Sequence, residues 1–182
     1  MTGPTYLTLL RMILAVLFTV FAMIPHSWAK ITALALFILA AVTDKIDGVW
    51  ARSKNLVTDL GAFLDPLADK MLVNLAFLVL VYLGVVPLWI FAIILVRDFA
   101  VDGMRMMAAK NGITISASFF GKLKTTFQMV ALSIILLNLI MNNEIIGIIG
   151  NTVLYLAVFM TVFSGADYLI KGYQRNLKAT KR

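Results

Sequence analysis

The feature that most constrains the fold is a series of six long apolar stretches separated by short polar breaks. The chain has 182 residues, of which 62% are hydrophobic, whereas soluble globular proteins are about 45–50% apolar. A single compact core cannot bury that much apolar surface, so the chain must be solvated largely by lipid. Each membrane-spanning helix needs about 20 residues. The length therefore accommodates six helices with short loops and leaves no room for a separate soluble domain.

Proline, glycine and paired asparagines interrupt the apolar stretches, and a charged segment separates the second stretch from the third. The sequence therefore predicts an all-α integral membrane protein with one transmembrane domain that covers residues 1–182. A basic tail, Gln174–Arg182, is expected to be solvated near anionic headgroups. The six predicted transmembrane helices are Thr5–Ile24, Ile31–Ala51, Asp59–Leu83, Leu88–Lys110, Phe120–Met141 and Ile145–Tyr173.

The distribution of positive charge predicts the orientation of these helices. If the N-terminus is cytoplasmic, the outer loops are residues 25–30, 84–87 and 142–144, and they contain only Lys30 of the 16 Lys and Arg residues. Cytoplasmic loops of membrane proteins are enriched in these residues, so we predict that both termini are cytoplasmic. The formal net charge of +7 has the same origin. Because no basic patch is interleaved with aromatic residues, we expect no nucleic acid partner.

Five of the nine carboxylates lie between positions 44 and 69, and four of these lie inside predicted helices. A carboxylate near the middle of a span costs roughly 2.5–3.5 kcal/mol on insertion scales and usually marks a functional site. Because like charges repel, a group of them costs more, and cations must compensate Asp44, Asp47, Asp65 and Asp69. The fifth, Asp59, begins the third helix, where a carboxylate complements the helix dipole. We interpret Asp59 as structural.

Helical spacing directs the four aspartates toward one point. Asp44 and Asp47 are three residues apart on the second helix, and Asp65 and Asp69 are four apart on the third. Each pair therefore shares one helix face. The short loop between the two helices predicts antiparallel neighbours, with both acidic faces at the cytoplasmic end.

These residues suit a site for hard metal ions. The chain has no cysteine and one histidine, and carboxylate oxygens are the ligands that Mg²⁺ and Mn²⁺ prefer. Two divalent cations would balance four carboxylates and form a pair suited to in-line displacement at phosphorus. Gly48 and Gly61 let a bulky ligand approach the backbone, and Arg52 can bind a phosphate bidentately. The simpler alternative, buried salt bridges to Lys45, Lys70 and Arg52, leaves the glycines unexplained.

This segment also resembles a known family signature. It matches the CDP-alcohol phosphotransferases at every position of Asp44-x2-Asp47-Gly48-x2-Ala51-Arg52-x8-Gly61-x3-Asp65-x3-Asp69. Three further stretches are similar to bacterial phosphatidylglycerophosphate synthases: residues 61–70, Pro4-Thr5-x2-Thr8-x2-Arg11, and Gly121-Lys122-x-Lys124-Thr125. The chain departs from those synthases at Thr2, where they usually have Asn, and at Asp98, where they usually have Glu.

The resemblance implies a bacterial cell-membrane enzyme whose active site faces the cytoplasm. An alcohol would attack CDP-diacylglycerol and release CMP, and in the synthases that the chain resembles this alcohol is sn-glycerol 3-phosphate. The resemblance further implies that Asp44, Asp47 and Asp65 bind two divalent cations, and that Asp69 is the general base and lies near the second metal. A homodimer is also implied. The residues that correspond to CDP-diacylglycerol contacts are Gly48, Arg52, Thr58, Gly61, Thr5 and Thr8.

An anionic acceptor needs cations near its phosphate. Arg97 and Arg105 on the fourth helix, with Lys122 and Lys124 at the start of the fifth, are predicted at one cytoplasmic level. We therefore regard these four residues as candidates for binding the acceptor phosphate. Membrane topology, together with pairing to the two aspartates of the fourth helix, is the simpler explanation for them.

Other functions stay open at this point. The same chemistry is compatible with phosphatidylglycerol, inositol phosphate or serine as the acceptor. An intramembrane prenyltransferase also uses aspartates with Mg²⁺, but that class usually has more spans and two Asp-rich motifs far apart. A cation transporter predicts carboxylates spread across the depth of the membrane, whereas these are grouped near one face.

Overall fold

The computed structural model describes residues 3–54, 59–110 and 119–180, and almost all of them are helical. The described residues contain no β-strand, so the prediction of an all-α chain is confirmed. The helices are α1 (Gly3–Met23), α2 (Ser27–Lys54), α3 (Asp59–Tyr82), α4 (Leu88–Lys110), α5 (Phe119–Met141) and α6 (Glu144–Thr180).

Within the described residues, three segments are long and apolar enough to cross a bilayer: Tyr6–Met23, Phe119–Met141 and Glu144–Tyr168. Shorter apolar stretches lie in α2 (Ser27–Thr43) and α3 (Lys70–Tyr82). These apolar helices make the chain an integral membrane protein. That all six helices span the membrane, and that both termini are cytoplasmic, stay predictions.

The end of α6 differs from the expected one. We predicted a helix that ends at Tyr173 and a solvated tail, whereas α6 continues to Thr180. The added residues include Gln, Arg, Leu, Lys and Ala, which all have high helix propensity, and no proline or glycine follows Gly172. A helix that has already nucleated is therefore extended by these residues rather than ended.

The helices form two compact units. Unit 1 consists of Met1–Val86 with Leu132–Gly150, and unit 2 consists of Pro87–Ala131 with Asn151–Arg182. Helices α1, α2 and α3 thus belong to unit 1, α4 belongs to unit 2, and α5 and α6 each contribute one part to both. The single domain that the sequence predicts stays a prediction.

In unit 1, α1 packs against both α2 and α3. Small side chains form much of the contact surface of α1 and α2, and Ala15 of α1 and Ala29 and Ala40 of α2 are fully buried. Small residues at helix interfaces let the backbones approach closely, which is how helices gain packing energy in a membrane. Between α1 and α2, the ring centroids of Phe18 and Phe37 lie 5.5 Å apart.

A glycine ends α3. Gly84 has a φ of +71°, a conformation that costs a glycine little because it has no Cβ. The amide of Gly84 donates to the carbonyl of Val81 (3.0 Å), and the amide of Val85 donates to the carbonyl of Leu80 (2.9 Å). These two bonds form a Schellman motif, which satisfies carbonyl groups at the helix end. The chain then turns into α4 after Pro87.

Two asparagines connect α5 to α6. Asn142 adopts a φ of +47°, which asparagine tolerates better than most residues. The side-chain oxygen of Asn143 accepts a hydrogen bond from the amide of Ile145 (2.9 Å) and so caps the N-terminus of α6. The turn between the fifth and sixth helices therefore lies where the sequence predicts it.

Candidate active site

Both pairs of aspartates lie in continuous helix. Asp44 and Asp47 are in α2, and Asp65 and Asp69 are in α3, so each pair shares one helix face by its spacing. The side chains of these four residues, and those of Thr5, Gly48, Arg52, Gly61 and Lys122, lie outside the described part of the structure, as does the whole of Thr58. Their convergence on metal ions therefore stays a prediction.

The acidic positions of α2 continue its buried face. Ala33, Phe37 and Ala40 are at most 1% exposed and follow one another at intervals of three or four residues. Asp44 and Asp47 are four and seven residues beyond Ala40, so the helical repeat places these positions on the same face.

The same relationship holds for α3. Ala68, Leu72 and Ala76 are at most 2% exposed. Position 65 precedes Ala68 by three residues and position 69 precedes Leu72 by three, so these positions are in helical register with buried residues of α3. Because α1 packs against both α2 and α3, the two acidic faces belong to helices that share one neighbour.

Helix α1 contributes buried polar residues near its N-terminal end. Thr8 is completely buried and Arg11 is 1% exposed, and both lie on the same face as the buried Ala15. A buried guanidinium group is stable only with polar or anionic partners, and α1 packs against the two helices that contain the aspartates. We infer that Arg11 belongs to the acidic site. In the sequence Arg11 is part of a family motif, but a charge inside an apolar helix is also by itself a functional signal.

In unit 2, one carboxylate binds two of the candidate cations. Nη1 of Arg97 donates to Oδ1 of Asp98 (3.1 Å), and the ammonium group of Lys124 donates to the same oxygen. The three side chains are 13%, 15% and 6% exposed, in that order. Both cations are thus paired with an aspartate of α4, as the simpler explanation of these residues predicts. The group nevertheless keeps one net positive charge.

Helix α6 provides a further partner for Arg97. Nη2 of Arg97 donates to the hydroxyl oxygen of Ser164 (2.9 Å), and Ser164 donates to the carbonyl of Thr161 (3.2 Å). The Thr161 hydroxyl in turn accepts a hydrogen bond from Gln128 of α5 (3.2 Å). Ser164, Thr161 and Gln128 are at most 1% exposed. A continuous buried polar network therefore joins α4, α5 and α6.

Arg105 has a separate partner on α6. Its Nε donates to the hydroxyl oxygen of Tyr168 (2.9 Å), and its guanidinium carbon lies 5.0 Å from the centre of the same ring. Tyr168 is 4% exposed. Of the four predicted phosphate-binding cations, Arg97 and Lys124 are thus brought together, and Arg105 contacts the same helix as Arg97.

The contribution of α6 to the contacts of these cations was not predicted. Ser164 and Tyr168 lie within a long apolar stretch, and neither was predicted to be part of a site. The available signal is local, because Ser164-Gly165-Ala166-Asp167-Tyr168 is a polar and small-residue interruption of an apolar helix. Polar residues within a membrane span usually face other helices rather than lipid.

Comparison with known proteins identifies the family of the chain. A family model described as "CDP-alcohol phosphatidyltransferase" matches residues 1–163. A Bacillus subtilis protein named CDP-diacylglycerol–glycerol-3-phosphate 3-phosphatidyltransferase is 37% identical over 94% of this chain and 95% of its own length. A Rickettsia typhi protein of the same name is 37% identical over 91% of this chain and 93% of its own length. A "probable phosphatidylglycerophosphate synthase" of Mycobacterium tuberculosis is 36% identical over 91% of this chain and 78% of its own length.

Proposed function

The chain belongs to the CDP-alcohol phosphatidyltransferase family, and from this premise we propose that it transfers the phosphatidyl group of CDP-diacylglycerol to sn-glycerol 3-phosphate. The products are phosphatidylglycerophosphate and CMP. The observation that carries this proposal is the complete acidic signature of the family, whose two halves lie in the continuous helices α2 and α3. The names of the relatives from Bacillus subtilis and Rickettsia typhi support glycerol 3-phosphate as the acceptor.

The residues present suit two divalent cations. The donor set of Asp44, Asp47, Asp65 and Asp69 consists only of oxygen, and these positions continue buried helix faces, where uncompensated carboxylates would be costly. Mg²⁺ or Mn²⁺ fits such ligands. When bound, the two cations would neutralise the diphosphate and the charge that builds on its bridging oxygen.

The remaining residues of the motif have roles in binding and proton transfer. Arg52 binds a phosphate of the nucleotide, and Gly48 and Gly61 leave room for the ligand beside the backbone. Asp69 accepts the proton of the acceptor hydroxyl as that oxygen attacks the phosphorus bearing diacylglycerol. The bond from this phosphorus to the bridging oxygen breaks, and CMP leaves.

The candidates for binding the acceptor phosphate are the predicted basic residues of α4 and α5. Arg97, Arg105 and Lys124 are cations, two of which share one oxygen of Asp98, and a basic group of this kind favours a phosphorylated acceptor over a neutral alcohol. Lys122 is the fourth candidate. The active site faces the cytoplasm, the six helices span the membrane, and the enzyme works as a homodimer in the bacterial cell membrane.

The experiment that tests this proposal measures CMP release from CDP-diacylglycerol by the purified protein. Glycerol 3-phosphate is compared with phosphatidylglycerol, inositol phosphate and serine at equal concentrations. We expect CMP release with glycerol 3-phosphate, its loss in a chelator, and its recovery when Mg²⁺ or Mn²⁺ is added back. Release with another acceptor and none with glycerol 3-phosphate would refute the assignment.

A further inference from the structure

Arg97 lies unusually close to the backbone of α6. A Cβ atom built on Gly165 would be 2.8 Å from Cγ of Arg97 and 3.3 Å from its Nε. Real Cβ atoms essentially never come within 3.0 Å of another heavy atom, and Cγ is too near the backbone of Arg97 to move freely. Only glycine at position 165 therefore allows the Arg97 side chain to lie where it does.

The neighbouring residue fixes the direction of the same side chain. The hydroxyl of Ser164 accepts a hydrogen bond from Nη2 of Arg97 (2.9 Å), while Nη1 is bonded to Asp98 (3.1 Å). The guanidinium is planar, so two fixed nitrogens determine its orientation. Its Nε is buried and forms no hydrogen bond with the described residues. Arg97 is therefore held in one orientation with hydrogen-bonding capacity left over.

Arg105 is directed to the same segment of α6. Arg97 and Arg105 are eight residues apart, about 12 Å along α4, whereas their partners Ser164 and Tyr168 are four residues apart, about 6 Å along α6. Both guanidinium groups therefore contact one helical turn of α6. Two guanidinium groups held by the same turn suit a doubly charged phosphate monoester.

We propose that Ser164, Gly165 and Tyr168, here called the α6 positioning segment, are positioning residues that orient Arg97 and Arg105 for the phosphate of the acceptor. This inference rests on the proposed function, since it assumes that these two arginines bind glycerol 3-phosphate. The segment itself does not touch the acceptor. It sets the affinity for the acceptor through the arginines and leaves the binding of CDP-diacylglycerol unaffected.

The test measures CMP release by the full-length protein in detergent micelles, with glycerol 3-phosphate and CDP-diacylglycerol varied separately. We expect Gly165→Ala to raise the KM for glycerol 3-phosphate about tenfold, since each factor of ten corresponds to the loss of about one hydrogen bond to a charged group. Tyr168→Phe and Ser164→Ala, which each remove one hydroxyl, should raise it about threefold to tenfold. The KM for CDP-diacylglycerol should stay within about twofold of the wild-type value.

Two other glycines supply matched controls. A Cβ at Gly103, on α4, would meet no described atom within 4 Å, so Gly103→Ala should leave both KM values unchanged. A Cβ at Gly150, on α6, would lie 3.0 Å from Cγ1 of Ile135. Gly150→Ala therefore crowds α6 against an apolar neighbour that is far from the cations in sequence. It should lower thermal stability without raising the KM for glycerol 3-phosphate more than the KM for CDP-diacylglycerol.

The outcomes separate this inference from the proposed function. If wild-type CMP release does not depend on glycerol 3-phosphate, both are refuted. If it does, and Ser164→Ala and Tyr168→Phe leave the KM for glycerol 3-phosphate unchanged, the positioning role alone is refuted, whether or not Gly165→Ala folds. Equal increases in both KM values, as expected of a purely structural defect, would also overturn it.

Discussion

The ammonium group of Lys124, on α5, is bonded to Oδ1 of Asp98, on α4, and both side chains are largely shielded from solvent. The same oxygen accepts a hydrogen bond from Nη1 of Arg97. One carboxylate therefore links α4 to α5 and neutralises part of the charge of two cations. Its loss would leave two buried positive charges facing each other.

We predict that Asp98→Asn destabilises the protein by about 3 kcal/mol, the usual cost of removing one partner from a buried ion pair. Thermal unfolding in detergent would measure this as a fall in Tm of several degrees. Asp98→Glu retains the carboxylate and should recover part of the loss. Glu144→Gln, at an exposed position of α6, is the control for removal of a carboxylate. An unchanged Tm for Asp98→Asn would contradict the importance of the shared oxygen.

The sequence predicts some of these features and not others, for physical reasons. Helix α4 was predicted to begin at Leu88 and does so, because Pro87 is a strong local signal. The spacing of the aspartates is also local, so their placement in α2 and α3 could be predicted. The bond between Asp98 and Lys124 joins residues on different helices, and no local pattern specifies it.

The same distinction explains why α6 was only partly understood. Its apolar character predicts a membrane helix, but helical spacing alone does not identify which polar residue of another helix it will meet. Ser164 and Tyr168 acquire their role only through contacts with α4. The extension of α6 to Thr180 was missed for a different reason, because a basic tail can be either solvated coil or helix.

We predict that Asp69→Asn lowers the rate of CMP release by about 10²–10⁴-fold, the usual contribution of a general base. Binding of CDP-diacylglycerol should persist, because the other three aspartates and Arg52 are retained. The rate of CMP release in a single turnover and the binding of a labelled CDP-diacylglycerol would be measured on the same preparation. Turnover at the wild-type rate would refute the assignment of Asp69 as the base.

Arg11 provides a test of charge balance in unit 1. If the buried guanidinium of Arg11 compensates the acidic faces of α2 and α3, Arg11→Met should destabilise the metal-free protein by about 3 kcal/mol. Added Mg²⁺ should then raise the Tm of the variant more than that of the wild type, since metal ions supply the missing positive charge.

Lys30→Met is the matched control for Arg11→Met. Lys30 lies in the same unit, and its ammonium group donates to the carbonyl of Leu139 (3.4 Å). In the predicted topology Lys30 is on the outer side of the membrane, whereas the acidic segment is on the cytoplasmic side. The Lys30→Met substitution should leave the Mg²⁺-induced rise in Tm unchanged. Identical Mg²⁺ effects in the wild type and in Arg11→Met would show that Arg11 is not part of the acidic site.

The end of α3 offers a test of the fold alone. Gly84 adopts a φ of +71°, so a side chain at this position is strained, and Gly84→Ala should cost about 1 kcal/mol. Gly103→Ala, in the interior of α4 and in open space, should instead be neutral or stabilising by up to about 1 kcal/mol. Comparison of the two Tm values measures the difference. A Gly84→Ala protein at least as stable as the wild type would contradict the described turn.

The most direct test of the central claim is the number of Mn²⁺ ions bound per chain, measured by the loss of the free-ion electron paramagnetic resonance signal in the presence of CDP-diacylglycerol. We predict two ions for the wild type, and fewer for Asp44→Asn and for Asp65→Asn, as the proposal of one shared site formed by the four aspartates requires. No bound ion in the wild type, or two ions retained in both variants, would contradict the account.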